Sequence, residues 1–140
     1  FYVSVSSVYS SKIEGESIEL DNYIKHKKFG IEFLPDYTKK IDDLYNAYVF
    51  AKNKKINAEN ISEVHKLLSK NIVAPNWQGK FRNQNMYVTT PYGKIEYVAA
   101  TPFEVENEMN KLLHDIDILI KAKLSIEEVF YYASFIHLIL

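Results

Sequence analysis

Apolar residues recur at intervals of three and four along most of this 140-residue chain, and over 86–98 the interval shortens to two. A helix returns a side chain to the same face every three or four residues, a strand every second one. The spacing therefore predicts a mostly α fold with one β-hairpin. Pro35-Asp36 opens a helix carrying Tyr37, Ile41, Leu44, Tyr45, Tyr48 and Ala51, closed by Lys52 to Lys55. Asn57 can cap the next, whose stripe is Ile61, Val64, Leu67 and Leu68. Residues 71–84, with Pro75, Asn76 and Gly79, read as loop. Met86 to Thr90 and Ile95 to Val98 are rich in β-branched and aromatic residues, and Pro91-Tyr92-Gly93-Lys94 between them is turn chemistry. Thr101-Pro102-Phe103-Glu104 is a capping box with proline in the first turn, and the stripe Val105, Met109, Leu112, Leu113, Ile116, Leu119, Ile120 follows. Ser125 to Glu128 is a second capping box, from which Ile126, Val129, Phe130, Ala133, Ile136, His137 and Leu140 carry a helix to the end.

Two segments are less decided. Ser17 to Lys28 reads as a helix with a basic end and a stop at Gly30. Residues 1–13 fit either period: Phe1, Val3 and Val5 alternate, while Val5, Val8, Tyr9 and Ile13 lie on a helical stripe that Gly15 would end. The missing initiator Met and the uncapped apolar run Phe135 to Leu140 read as a chain cut at both ends.

Composition narrows the chemistry. The absence of cysteine removes disulfides, thiolate nucleophiles and iron–sulfur ligation, and fits a cytoplasmic setting. A formal net charge of −1 is not the strongly basic balance of a nucleic-acid domain. No stretch approaches the length of a membrane span. The histidines His26, His65, His114 and His137 lack metal-ligand spacing, and His137, on an apolar face, reads as a core histidine. Four scattered glycines build no phosphate loop. Glu104, Glu106, Glu108, Glu127 and Glu128 suit helix starts, and the runs Lys25–Lys28 and Lys52–Lys55 suit helix ends. Glu14 breaks the pattern. If residues 4–14 are helical, it sits at the C-terminus, where an anion is unfavourable by about 0.3–1 kcal/mol, with Ser10 one turn earlier on the same face. Either it points into water or it serves a cation elsewhere.

Ser10-Ser11-Lys12-Ile13-Glu14-Gly15 resembles the Ser/Thr-x-x-x-Glu-Gly/Asn inhibitory motif of Fic-domain proteins. Further features follow in order. The helix Ile56 to Ser69, with His65, Leu67 and Leu68, resembles the opening helix of the Fic core. Gly79, Phe81 and Arg82 resemble the family's Gly-x-Phe/Tyr-Arg signature, and Met86 stands where Val is frequent. The hairpin 86–98 occupies the place of the target-docking flap. Thr101 to Glu104 with Met109 to Leu113, and Ala133 to His137, resemble the helices that follow. The family's His-x-Phe-x-Asp/Glu-Gly-Asn-Gly-Arg-x-x-Arg stretch, which supplies the catalytic histidine, the phosphate loop and the inhibitory partner arginine, is not among the 140 residues.

The resemblance implies a helical bundle with one flap hairpin, preceded by an inhibitory helix. Residues 1–55 would hold that helix and a helical extension, and 56–140 the N-terminal part of a Fic core. It implies AMP transfer from ATP, with Mg2+, to a Ser, Thr or Tyr hydroxyl of a protein, self-modification included. No catalytic or metal-binding residue falls in the sequence itself. Glu14, with Ser10 and Gly15 shaping its helix, would be the brake, pairing with the motif's last arginine in the place of the γ-phosphate. Tyr87, Val88, Thr89, Thr90, Ile95, Glu96 and Tyr97 would supply the edge along which a target strand aligns; a purely structural hairpin is the other reading. Other phosphate-linked transfers or AMP removal fit the same family features. The alternative of another class is a helical module that binds protein or nucleotide without catalysis.

Overall fold

The computed structural model describes residues 1–33 and 38–139. Its elements are α1 (Tyr2–Ile13), α2 (Leu20–Phe29), α3 (Lys39–Ala51), α4 (Ala58–Leu68), β1 (Tyr87–Thr89), β2 (Ile95–Val98), α5 (Pro102–Lys121) and α6 (Ile126–Ile139). The fold is mostly α with one small antiparallel sheet. The expected opening at Pro35-Asp36, with Tyr37, and the last residue, Leu140, lie outside the described residues.

The ambiguous N-terminal segment is a helix, but the apolar stripe Val5, Val8, Tyr9, Ile13 is not its buried face. Tyr9 is 54% and Ile13 84% exposed; the buried residues are Ser4, Ser7, Val8 and Ser11. Three small residues let α1 approach its neighbours closely. The Ser7 hydroxyl donates to the Val3 carbonyl at 2.8 Å, one turn back, so its burial leaves no polar group unsatisfied. Val8 meets Ile18, Tyr23 and Ile41, with Leu20 and Tyr45 around them, and this cluster joins α1, α2 and α3.

α3 also packs on α4. Asp43, on its buried face, accepts from both the backbone N–H (3.0 Å) and the side-chain amide (2.7 Å) of Asn71 just past α4. Asn57 caps α4 by accepting from the Asn60 N–H at 2.8 Å. Both expected capping boxes form: the Glu104 carboxylate accepts from the Thr101 N–H and hydroxyl (3.3 and 2.8 Å), and that of Glu128 from the Ser125 N–H (2.8 Å). On α5 the stripe is at least half-buried as far as Leu119, while Ile120 is exposed.

α6 departs from expectation. It packs against no other element among the described residues, and Ile126, Val129 and Phe130 are exposed. His137 is therefore an exposed residue and not a core histidine.

Ile41→Ala should destabilise the chain by roughly 2–5 kcal/mol, because it opens a cavity where three helices meet. Tyr92→Ala, at a residue 98% exposed in the hairpin turn, should stay within about 0.5 kcal/mol of the parent. Urea unfolding of the two variants side by side checks the difference.

Candidate functional site

Gly79, Phe81 and Arg82 come together with α4, α5 and the foot of the hairpin. Gly79 has φ +67°, and a Cβ there would stand 2.8 Å from the Ser62 carbonyl oxygen and 3.0 Å from Lys66 Cβ. Only glycine lets this loop lie on α4, and its N–H donates to His65 Nδ1 at 2.9 Å. The Arg82 guanidinium bridges outward from the same loop. It donates to the Gln84 carbonyl at 3.2 Å and, across the base of the hairpin, to the Ala100 carbonyl. The loop, with Ile61 and His65 of α4 and Val105 and Met109 of α5, lines a groove of about 370 Å3.

The hairpin rises from this base. Tyr87 pairs with Val98, Val88 with Tyr97 and Thr89 with Ile95, with a bulge between Val88 and Thr89. Thr90 lies one residue past β1 and closes the turn: its N–H donates to the Lys94 carbonyl and its hydroxyl accepts from the Lys94 N–H. Tyr87, Val88, Thr89, Ile95, Glu96 and Tyr97 are all exposed, and among the described residues no third strand joins the pair. Such a ribbon presents unpaired backbone groups along its outer edges.

Ser10, Glu14 and Gly15 are held elsewhere, on α1. The Ser10 hydroxyl shares a hydrogen bond of 3.1 Å with the Tyr48 hydroxyl of α3. Gly15 adopts φ +92°; its N–H donates to the Lys12 carbonyl and the Glu16 N–H to the Ser11 carbonyl, the paired bonds of a Schellman stop. Glu14 occupies the C-cap with an exposed side chain. Its carboxylate has no hydrogen bond or ion pair within the described residues, whereas its neighbours are engaged: Lys12 with Glu19 (3.0 Å) and Glu16 with Lys40 (2.7 Å). Among the described residues neither Arg82 nor any other cation pairs with Glu14.

A family model for the Fic/DOC family matches residues 55–139. The chain belongs to the Fic/DOC family. No curated protein and no solved structure matches the chain. The Fic match takes in α4, the Gly79–Arg82 loop, the hairpin, α5 and α6, while α1 to α3 precede it. Among the described residues no three His, Asp or Glu side chains converge to hold a metal ion, and no helix is long and apolar enough to cross a membrane.

Sequence reasoning missed a second polar cluster, between α2 and α3. Asp42 Oδ1 accepts from the Tyr23 hydroxyl (2.8 Å) and Lys27 Nζ (3.1 Å), and Oδ2 lies 2.9 Å from His26 Nε2. Burial first, and then the bond to Asp42, pushes the Tyr23 phenol well above its usual range. Burial opposes the charge on Asp42, yet its bonds to His26, Tyr23 and Lys27 prevail and hold its carboxyl below the usual carboxylate range. The only sequence signal was the placement of Tyr23, His26 and Lys27 at spacings of three and four on one helix.

Gly79→Ala and Gly93→Ala separate the two reasons for glycine. Both positions have positive φ, an expected cost of about 1–2 kcal/mol, but a Cβ at Gly93 meets open space. Gly79→Ala should therefore be the more destabilising in thermal unfolding and should reduce amide protection at 79–82.

Proposed function

We propose that this Fic-family chain belongs to a self-inhibited protein adenylyltransferase, and that α1 is its brake. The observation that carries the reading is Glu14: a carboxylate at a helix C-cap, exposed, without a partner among the described residues, on a helix seated by a buried cluster and ended by Gly15. An anion disfavoured at that helix end gains once a cation faces it. The cation of this reading is the last arginine of the family's catalytic stretch, which is not among the 140 residues. Bound there, Glu14 would hold the arginine away from a triphosphate.

ATP and Mg2+ are the cofactors this reading implies. The residues present do not form their site, since the chain carries neither the Gly-Asn-Gly-Arg stretch nor, among the described residues, a metal-holding cluster. The chain's own part is control and alignment. The exposed ribbon of Tyr87 to Thr90 and Ile95 to Tyr97 supports alignment of a protein segment bearing a Ser, Thr or Tyr hydroxyl, the chain's own included, by strand addition. Arg82 fixes the base of that ribbon and is a positioning residue in this scheme. A cytoplasmic setting accords with the absence of cysteine.

The test uses the full-length gene product with labelled ATP. Glu14→Gly should raise incorporation of labelled AMP about tenfold, within the usual range of coupling between two sites. Unchanged incorporation in a folded variant would overturn the brake.

A further inference from the structure

Both ring nitrogens of His26 face oxygen acceptors. Nδ1 lies 2.8 Å from the Ile31 carbonyl oxygen and Nε2 lies 2.9 Å from Asp42 Oδ2. Neither a carbonyl nor an ionised carboxylate can donate, so both contacts are hydrogen bonds only when the ring carries two protons. The contacts reach in two directions: one to Ile31, just past the end of α2, the other to α3. Tyr23, four-fifths of a turn back, stacks on the ring at 6.0 Å between centroids.

We propose that the His26 imidazolium is a pH-sensitive clasp that ties α2 and the segment after it to α3, and thereby holds α1 in its seat. The seat follows from the core, in which Tyr23 of α2 and Ile41 of α3 are two of the three residues that pack with Val8 of α1. The charges facing the ring are Asp42 from α3 and, from its own helix, Lys27, which also lies 4.3 Å above the Tyr45 ring. The neighbouring charges are occupied elsewhere: Lys40 with Glu16, Lys12 with Glu19, Lys25 with Asp21 and Asp43 with Asn71.

When the ring loses its second proton, one nitrogen turns a lone pair toward an oxygen. Asp42 keeps Tyr23 and Lys27, so release loosens one contact and leaves no buried charge bare. Burial opposes the charged ring, but the bonds to Asp42 and the Ile31 carbonyl outweigh it and move His26 above its ordinary value. A raised folded-state value means that the stabilisation is complete below about 6.5 and is lost as pH climbs through the raised value. At the acid end Asp42, held low, keeps its charge to below the usual carboxylate range.

The test follows His26 in the full chain by imidazole nitrogen NMR, with amide protection factors of α1 and α2 measured over the same pH series. His26 should titrate above about 6.5, and protection in both helices should fall along that titration. Asp42→Asn should lower the His26 midpoint, and His26→Gln should remove the pH dependence of protection. A wild-type midpoint at or below about 6.5, or α1 and α2 protection indifferent to pH, would overturn the clasp. Glu14 caps α1, so the clasp bears on the proposed brake and rests on that reading there, but these readouts involve neither ATP nor a target, so failure of the clasp and failure of the brake are told apart.

Discussion

The N-terminal half depends on one requirement: the buried Tyr23 hydroxyl needs a partner. Tyr23 is fully buried where α1, α2 and α3 meet, and an unpaired phenol there would cost about 1–3 kcal/mol. Asp42 supplies the acceptor, and so brings a charge to the edge of the core. That charge is tolerated because Lys27 and His26 surround it with donors. The apolar cluster gives the three helices a reason to meet, and the polar cluster fixes where they meet, since charge-assisted bonds are short and directional. Among the described residues only Val8, Ile18, Tyr23, Ile41, Ala47 and Ile116 are buried apolar side chains. A core this small leaves much of the geometry to its polar anchors.

The second half is organised by backbone approach. Gly79 lies against the α4 backbone because it has no Cβ, and His65 accepts its N–H. Arg82 then carries the position of that loop to Ala100, at the other foot of the hairpin. The ribbon itself is exposed on both faces, so its aim comes from its base and not from packing. That division suits a docking surface: a fixed root and a bare edge.

What the sequence made legible was local. The capping boxes at Thr101 and Ser125, the Asn57 cap and the period change at 86–98 need only a few adjacent residues, and all are present. The buried face of α1 was not legible, because Ser4, Ser7 and Ser11 carry no hydrophobic signal; their burial depends on small size and, for Ser7, on a carbonyl one turn back. The His26–Asp42 pair is 16 residues apart, and its meeting depends on how two helices pack. Gly79 was legible as part of a signature, but its steric reason needed α4 beside it. Periodicity on α6 marked an apolar stripe that the structure leaves uncovered among the described residues, since a stripe records a preference for burial and not a partner.

Asp42 and Asp43 are adjacent on α3 and serve opposite neighbours. Successive helical residues point about 100° apart, so two carboxylates in a row address two different partners. Asp42 holds α2 through His26, Tyr23 and Lys27; Asp43 holds the start of the 69–84 loop through Asn71. That loop leads through Gln78, whose amide donates to the Lys70 and Val73 carbonyls, directly to Gly79. Tyr48, one turn and a little further along α3, reaches back to Ser10 on α1. α3 is thus the element through which the helix carrying Glu14 and the loop that roots the hairpin are both anchored. A displacement of α3 strains both anchors together, whereas a change confined to His26 acts on the α2 side alone. On the proposed clasp, α1 would therefore be loosened without disturbing the footing of the hairpin.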